Sequence, residues 1–339
     1  MKLIKTEEAV GHVLCHDLTQ IIKDQYKDAR FRKGHVVTEA DIPVLLSMGK
    51  EHLYVWEMTP GMLHENDAAE RLYALCVGDH MDRSEVKEGK IELKAACDGL
   101  FRVNSEKLMA VNSIEDIMIA TRKGGTAVRK GDKLAGMRVI PLIIPEKKLQ
   151  AAEQAAGDAP LLELRPWVRK TAAIVATGSE VKKGLIQDTF TPVVRDKLAA
   201  YGIKTISVAY SGDGVENVAN AIGEARKTGA DVILCTGGMS VDPDDNTPGG
   251  IKQSGARIVT YGAPVLPGAM FLLGYFEDGT PVMGLPGCVM YAGATIFDLA
   301  LPRIAAGVEL TRRDFAVMGE GGLCLGCKPC HWPNCPFGK

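Results

Sequence analysis

Two glycines and three carboxylates crowd one short segment, Thr236-Gly237-Gly238-Met239-Ser240-Val241-Asp242-Pro243-Asp244-Asp245-Asn246-Thr247-Pro248. The apolar run Asp231-Val232-Ile233-Leu234-Cys235 precedes it, so a buried strand empties into this loop. Adjacent glycines let backbone N–H groups approach a bulky anion, and clustered carboxylates suit a hard divalent cation bridging to that anion. The chemistry implied is a metal-assisted phosphate or oxyanion site at a strand end. A solvated turn with Asp and Asn capping a short helix is the plainer reading of Asp242, Asp244 and Asp245.

A second concentration of chemistry lies further on. Of nine cysteines, four (Cys324, Cys327, Cys330 and Cys335) fall within the last sixteen residues at C-x2-C-x2-C-x4-C spacing, with Pro336 after the last. That is one residue off a ferredoxin-type run. Four cysteines, or three with His331, suit a structural zinc site, and the four together suit an iron–sulfur cluster. An unstructured, redox-sensitive tail that acquires metal only in a partner is the third reading. Cys15, Cys76, Cys97, Cys235 and Cys288 are scattered in apolar surroundings and read as reduced small hydrophobes.

The elements that must position these groups follow from the periodicity. Ala172–Thr177 is a short buried strand, Pro192–Tyr201 a helix stopped by Gly202, Ile203–Tyr210 a strand, Val215–Lys227 a helix and Val232–Cys235 a third strand. This βαβαβ order predicts a doubly wound α/β domain, a mainly parallel sheet between two helical layers. Phe271–Glu277 and Pro281–Gly284 flank Asp278-Gly279, a hairpin signal. Gly284-Leu285-Pro286-Gly287 then opens an apolar helix running to about Ala306. Ligands of open α/β sheets bind beyond the carboxyl ends of the strands, where Thr177-Gly178-Ser179-Glu180, the Thr236–Pro248 loop and Gly284–Gly287 converge.

Residues 1–145 differ: short strands, few long helices and frequent glycine predict a smaller α+β region of up to two subdomains. Thr38–Met48 and Asn66–Val77 read as helices, His52–Trp56 and Lys90–Arg102 as extended, and Gly131–Met137 as turn chemistry. Residues 146–170 read as a linker, and Lys147–Pro160 within it, alanine-rich and charged, as a helical linker or a solvated connecting helix. The α/β domain spans 171–307 and the cysteine tail 308–339.

Composition excludes several classes. The 339 residues are 46% hydrophobic with a formal charge of −2, so the chain can bury two cores and gives no electrostatic reason to expect nucleic acid. The start has no apolar h-region, and no run of about 18 apolar residues occurs, which predicts a cytoplasmic protein without membrane contact. Lys182, Lys183, Arg195 and Lys252 could meet phosphates or simply be solvated.

Ala176-Thr177-Gly178-Ser179-Glu180-Val181, Ile186-Gln187-Asp188-Thr189, Thr236-Gly237-Gly238 with Asp245-Asn246-Thr247-Pro248, and Gly284-Leu285-Pro286-Gly287 stand in the order of a known domain. They resemble the molybdopterin-binding domain of molybdenum-cofactor biosynthesis, shared by molybdopterin adenylyltransferases, molybdotransferases and competence-damage-inducible proteins. The likeness is nearer the molybdotransferases, although their Pro-x-x-x-x-Ser-x-x-Asp-Gly-Tyr segment is absent.

The resemblance implies catalytic roles for Asp188, Asp245 and Glu180. It implies that Thr177, Gly178, Ser179, Thr236, Gly237, Gly238, Ser240, Thr247, Gly284, Pro286 and Gly287 bind molybdopterin, and that Asp242 and Asp245 hold Mg²⁺. Asp188 also reads as a cap for the helix from Thr189. The implied activity is insertion of molybdenum, from molybdate, into adenylylated molybdopterin by a homo-oligomer that serves a molybdoenzyme or another assembly protein. A non-catalytic molybdopterin carrier or sensor, and a competence-type nucleotide phosphohydrolase, are the alternatives.

Overall fold

The structure, a computed structural model, describes residues 2–22, 26–55, 60–240, 242 and 245–339. Trp56, Val241, Pro243 and Asp244, named above, lie outside the described residues. The chain divides into two compact units, one of Met1–Ala96, Val103–Gly124 and Lys130–Glu163, the other of Cys97–Arg102, Gly125–Arg129 and Leu164–Lys339.

The second unit is built on a six-stranded sheet. Its strands are β1 (Thr171–Thr177), β2 (Lys204–Ser211), β3 (Val232–Thr236), β4 (Arg257–Tyr261), β5 (Leu272–Tyr275) and β6 (Pro281–Leu285), in the order β2-β1-β3-β6-β5-β4. β2, β1, β3 and β6 run parallel, and β5 and β4 close the edge antiparallel. Helices α1 (Phe190–Ala199), α2 (Val215–Lys227), α3 (Thr247–Gln253) and α4 (Ile296–Ala305) flank it.

Strand alternation makes the two faces. Ala172 and Ile174 point into one cluster with Val194 and Leu198 of α1 and Phe297 and Leu301 of α4. Ala173 and Val175 point into another with Val218 and Ile222 of α2 and Ile251 of α3. A period of two along each strand thus sends successive side chains to opposite helical layers. The result is the three-layer α/β/α arrangement expected from the sequence. Asp231 secures the start of the central strands: its Oδ2 accepts from the Lys170 N–H at 2.7 Å and from the Thr171 N–H and hydroxyl at 2.9 Å.

Two elements depart from expectation. The helix predicted to begin at Gly284–Gly287 begins at Ile296, where Thr295 and Asp298 form a capping box; Gly287–Met290 is only a 3₁₀ turn. Tyr291-Ala292-Gly293 interrupts the apolar run, and a satisfied cap downstream fixes the true start. The stretch after the acidic loop, left without elements by periodicity, holds α3 and β4.

In the first unit, a four-stranded antiparallel sheet orders Met81–Arg83, Lys90–Ala95, Lys133–Val139 and Ile117–Thr121, with helices Glu65–Cys76, Ser105–Asn112 and Glu146–Ala156. Lys133–Val139 is therefore a full strand where turn chemistry was expected. The segment read as a helical linker is indeed a helix, but packed rather than solvated, with Leu149, Ala152 and Ala156 buried. Arg71 clasps it, reaching Glu146 at 3.0 Å and Glu153 at 2.7 Å. A smaller core of Ile4, Leu14, Phe31, Leu45 and Leu53 sits under the first fifty residues. Among the described residues no helix is long and apolar enough to cross a membrane.

Candidate functional site

Parallel pairing brings the predicted loops to one edge. Thr177 stands opposite Ser211, Ala176 opposite Thr236, and Thr236 opposite Leu285, so β1, β2, β3 and β6 end at the same level. The Thr177 hydroxyl donates to the Thr236 carbonyl at 3.0 Å, and the Thr247 hydroxyl donates to the Gly237 carbonyl at 2.8 Å. The two hydroxyl oxygens are themselves 3.0 Å apart. Both Thr236 and Thr247 are buried, so these threonines tie strand ends and the N-terminus of α3 into one rigid cradle.

The glycines of that cradle are required by shape. Gly237 has φ of +84° and Gly238 of +57°, backbone that favours glycine. A Cβ at Gly237 would lie 2.4 Å from the Thr177 carbonyl oxygen, and one at Gly238 would lie 2.8 Å from the Thr247 hydroxyl. Gly284 has a different reason to be glycine: a Cβ there would meet Met239 Sδ at 2.5 Å. Gly284 and Pro286 are buried in the wall, and Gly287 is exposed at the loop tip.

Asp188 serves two purposes. Its Oδ1 accepts from the Phe190 and Thr191 N–H groups at 3.0 and 2.9 Å, capping α1 as its place in the sequence suggested. Its Oδ2 is buried and without a partner, as is the Thr191 hydroxyl. Burial, the largest influence, disfavours the charged carboxylate, yet Thr191, Phe190 and Tyr210 together outweigh it and hold Asp188 below the usual carboxylate range. A carboxylate favoured in its charged form, with one oxygen capping a helix and the other making no close hydrogen bond beside the Thr191 and Tyr210 hydroxyls, suits a cation or a ligand proton.

Asp245 closes its own loop. Its Oδ2 accepts from the Ser240 N–H at 2.8 Å, and its N–H donates to the Asp242 carbonyl at 2.9 Å. Beside it the Tyr261 hydroxyl donates to the Met239 carbonyl at 3.1 Å; burial, reinforced by the Asp245 charge, pushes that phenol up and keeps it a donor. Asp242 and Glu180 are exposed. Ser179 Oγ accepts from the Asp213 N–H, and the Lys182 stem lies along Gly212 next to it. Tyr210 was not singled out by sequence because it reads only as the last residue of a strand, and Tyr261 because periodicity assigned no element to its stretch.

The cysteine tail is ordered on the second unit. Cys324 and Cys335 are half-buried, Cys327 and Cys330 exposed, and all four are free thiols. Phe337 is buried with Trp332 edge-on to it at 5.7 Å. The reading of these residues as an unstructured appendage is therefore corrected: Trp332 and Phe337 supply the apolar area that docks it. Among the described residues no three His, Cys, Asp or Glu side chains gather closely enough to hold a metal ion as folded.

The glycine and threonine cradle and the Asp188 carboxylate thus lie at the carboxyl edge of a parallel sheet, the edge at which open α/β sheets bind ligands. Residues 173–306 match the family model described as "Probable molybdopterin binding domain". Residues 3–57 match a domain family of unknown function. A CinA-like protein of Pseudothermotoga lettingae is 34% identical over 85 residues, 25% of this chain and 21% of that protein. The "Probable FAD synthase" of Caenorhabditis briggsae is 31% identical over 89 residues, 26% of this chain and 17% of that protein. The chain thus aligns with about a fifth of the length of these relatives.

Among solved structures, the tungsten cofactor synthesizing protein MoaB of Pyrococcus furiosus is 21% identical, with a TM-score of 0.33 over 39% of this chain and 89% of that one. The molybdopterin biosynthesis Mog protein of Mycobacterium ulcerans is 20% identical, with a TM-score of 0.33 over 40% of this chain and 91% of that one.

Proposed function

We propose that the α/β domain binds molybdopterin through its terminal phosphate at the carboxyl edge of the sheet, and that the protein inserts molybdenum, from molybdate, into adenylylated molybdopterin. The observation that carries this reading is Asp188 Oδ2, a buried oxygen that makes no close hydrogen bond on a carboxylate favoured in its charged form, at the edge that carries the Thr177, Gly237, Gly238 and Thr247 cradle. Backbone N–H groups of the glycine loop orient the phosphate, and the shared threonine hydroxyls keep the loop from relaxing when its charge arrives. Asp188, Asp245 and Glu180 are assigned the catalytic roles.

Mg²⁺ fits these residues. It keeps several waters and takes one or two carboxylates together with substrate phosphates rather than a closed protein cage. Asp188 offers its unpaired oxygen, and Asp242 and Asp245 sit on the glycine loop. Bound there, Mg²⁺ would neutralise phosphate charge. The setting this reading implies is a soluble, cytoplasmic homo-oligomer that passes its product to a molybdoenzyme.

The test is to mix the purified protein with adenylylated molybdopterin, molybdate and Mg²⁺, and to measure AMP release and formation of active cofactor. Turnover that survives both Asp188→Ala and Asp245→Ala defeats the site assignment. Tight pterin binding without turnover leaves a carrier. A second reading, a nucleotide phosphohydrolase, draws on the CinA-like relatives and the Asp245-Asn246-Thr247-Pro248 turn; nucleotide hydrolysis without pterin would establish it.

A further inference from the structure

Two hydroxyls stand beside the Asp188 carboxylate, and the fold has no use for either. Thr191, the second residue of α1, is only 4% exposed, yet its hydroxyl makes no close hydrogen bond. Its backbone N–H already serves Asp188 Oδ1, so the cap needs nothing from the side chain. A buried donor left in this state costs stability, and a valine of the same shape would pack there more cheaply. Tyr210 approaches from the sheet. It pairs with Ala176 on β1, one step before the Thr177 and Ser211 pair at the carboxyl edge. Val208, two residues earlier, packs on the cluster that α1 covers, so alternation turns Tyr210 to the same face. Burial disfavours charge on Asp188, and against it the Thr191 and Tyr210 hydroxyls help to hold the carboxylate ionised. Tyr210 itself stays 47% exposed, so its ring lines open crevice rather than core.

Both donors are neutral. A lysine in either place would cancel the Asp188 charge, whereas hydroxyls steady it and leave it for a cation. Hydroxyl hydrogens rotate, so each can point at Asp188 Oδ2 or at an oxygen arriving beside it. We propose that Thr191 and Tyr210 are ligand-contacting donors: with a cation on Asp188 Oδ2, both hydroxyls turn to the oxygens of a tetrahedral oxyanion, phosphate or molybdate, that accompanies it. Two subsites then line the carboxyl edge. The glycine and threonine cradle at the ends of β1 and β3 takes one anion through backbone N–H groups. The niche of Asp188, Thr191 and Tyr210 takes the other through hydroxyls. A ligand with two negatively charged groups, or with one such group and a separate oxyanion, is the chemical class that fills both. No proton leaves either hydroxyl, and no covalent bond forms or breaks on binding.

The niche rests on the proposed reaction only for its turnover readout; oxyanion binding is measured without pterin. Full-length wild type, Thr191→Val, Thr191→Ser and Tyr210→Phe are compared in three ways: melting temperature, calorimetric titration of inorganic phosphate and of molybdate in Mg²⁺, and AMP release from adenylylated molybdopterin. Thr191→Val should keep or raise the melting temperature while oxyanion binding and AMP release fall about tenfold, the scale of one hydrogen bond to a charged group. Thr191→Ser, which keeps the hydroxyl, should recover most of that loss. Tyr210→Phe should reproduce the tenfold fall with the melting temperature unchanged. The oxyanion that weakens more, phosphate or molybdate, names the occupant. No oxyanion binding in wild type, equal affinity in wild type and Thr191→Val, or a serine variant no better than the valine one would overturn the niche. A drop in melting temperature that matches the loss of binding in Thr191→Val would make the hydroxyl structural and overturn it as well. Wild type that releases no AMP, yet loses oxyanion binding in Thr191→Val, would sink the proposed reaction and leave the niche standing.

Discussion

The carboxyl edge of the sheet and the cysteine tail are equally dense in reactive groups, and they are held in opposite ways. At the edge, strand register and shared threonine hydroxyls fix the cradle before any ligand arrives. In the tail, backbone bridges and an aromatic pair hold the strap down while its thiols stay apart. Preorganisation at the edge raises affinity and rate by removing reorganisation at the moment of binding.

The strongest way to break this contrast is Asp188→Asn. The amide oxygen can still cap α1, so the fold should be kept with only a modest loss of stability while turnover drops about 100-fold, the scale of one lost preorganised charge. Equal losses of melting temperature and activity would instead make Asp188 a cap alone. Gly237→Ala comes next: φ of +84° and the Thr177 carbonyl oxygen at 2.4 Å leave its methyl no room. About 1–3 kcal/mol of strain should appear as weaker pterin binding in calorimetry.

Thr247→Val should cost about 1–3 kcal/mol in denaturant unfolding, since it strands the Gly237 carbonyl. Acid should separate the regions further. Because the folded Asp188 sits below its unfolded value, its stabilisation is complete above a pH of about 4 and is lost as pH falls through the lower folded value. The stability gap between wild type and Asp188→Asn should therefore hold at neutral pH and close in strong acid; a gap that persists there refutes it. The smallest effect belongs to Cys327→Ser, exposed and free of packing, which should shift unfolding by no more than about 0.5 kcal/mol in metal-free protein.

Much of the second unit was legible because its signals are local. Val215–Lys227 reads as a helix from its own spacing, and Asp278-Gly279 marks a hairpin that β5 and β6 form. Failures came where local signals mislead. Thr247–Gln253 holds proline and two glycines and lacks a helical stripe, yet Ile251 buries it against the sheet. The continuous apolar stretch from Leu285 hid the start of α4, although Thr295 and Asp298 carry a capping pattern in plain view. At the site, glycines and carboxylates could be read from spacing. The Thr177 and Thr247 hydroxyl pair, seventy residues apart in the chain, could not, and neither could the division of Asp188 into one capping oxygen and one unpaired oxygen. The cysteine spacing announced a ligand set but not its docked, dispersed state, which depends on Trp332 and Phe337.

Asp231 stands at the far end of the sheet from all of this chemistry. By clamping Lys170 and Thr171 it sets the zero from which β1 and β3 are measured. Six residue steps along β1 cover about 20 Å, and a slip of one step would turn Ile174 toward the wrong helical layer. Thr177 and Thr236 arrive side by side because their strands were levelled at the bottom. A substitution at Asp231 would thus act as a miscalibrated ruler, felt as a misaligned cradle at the opposite edge of the sheet.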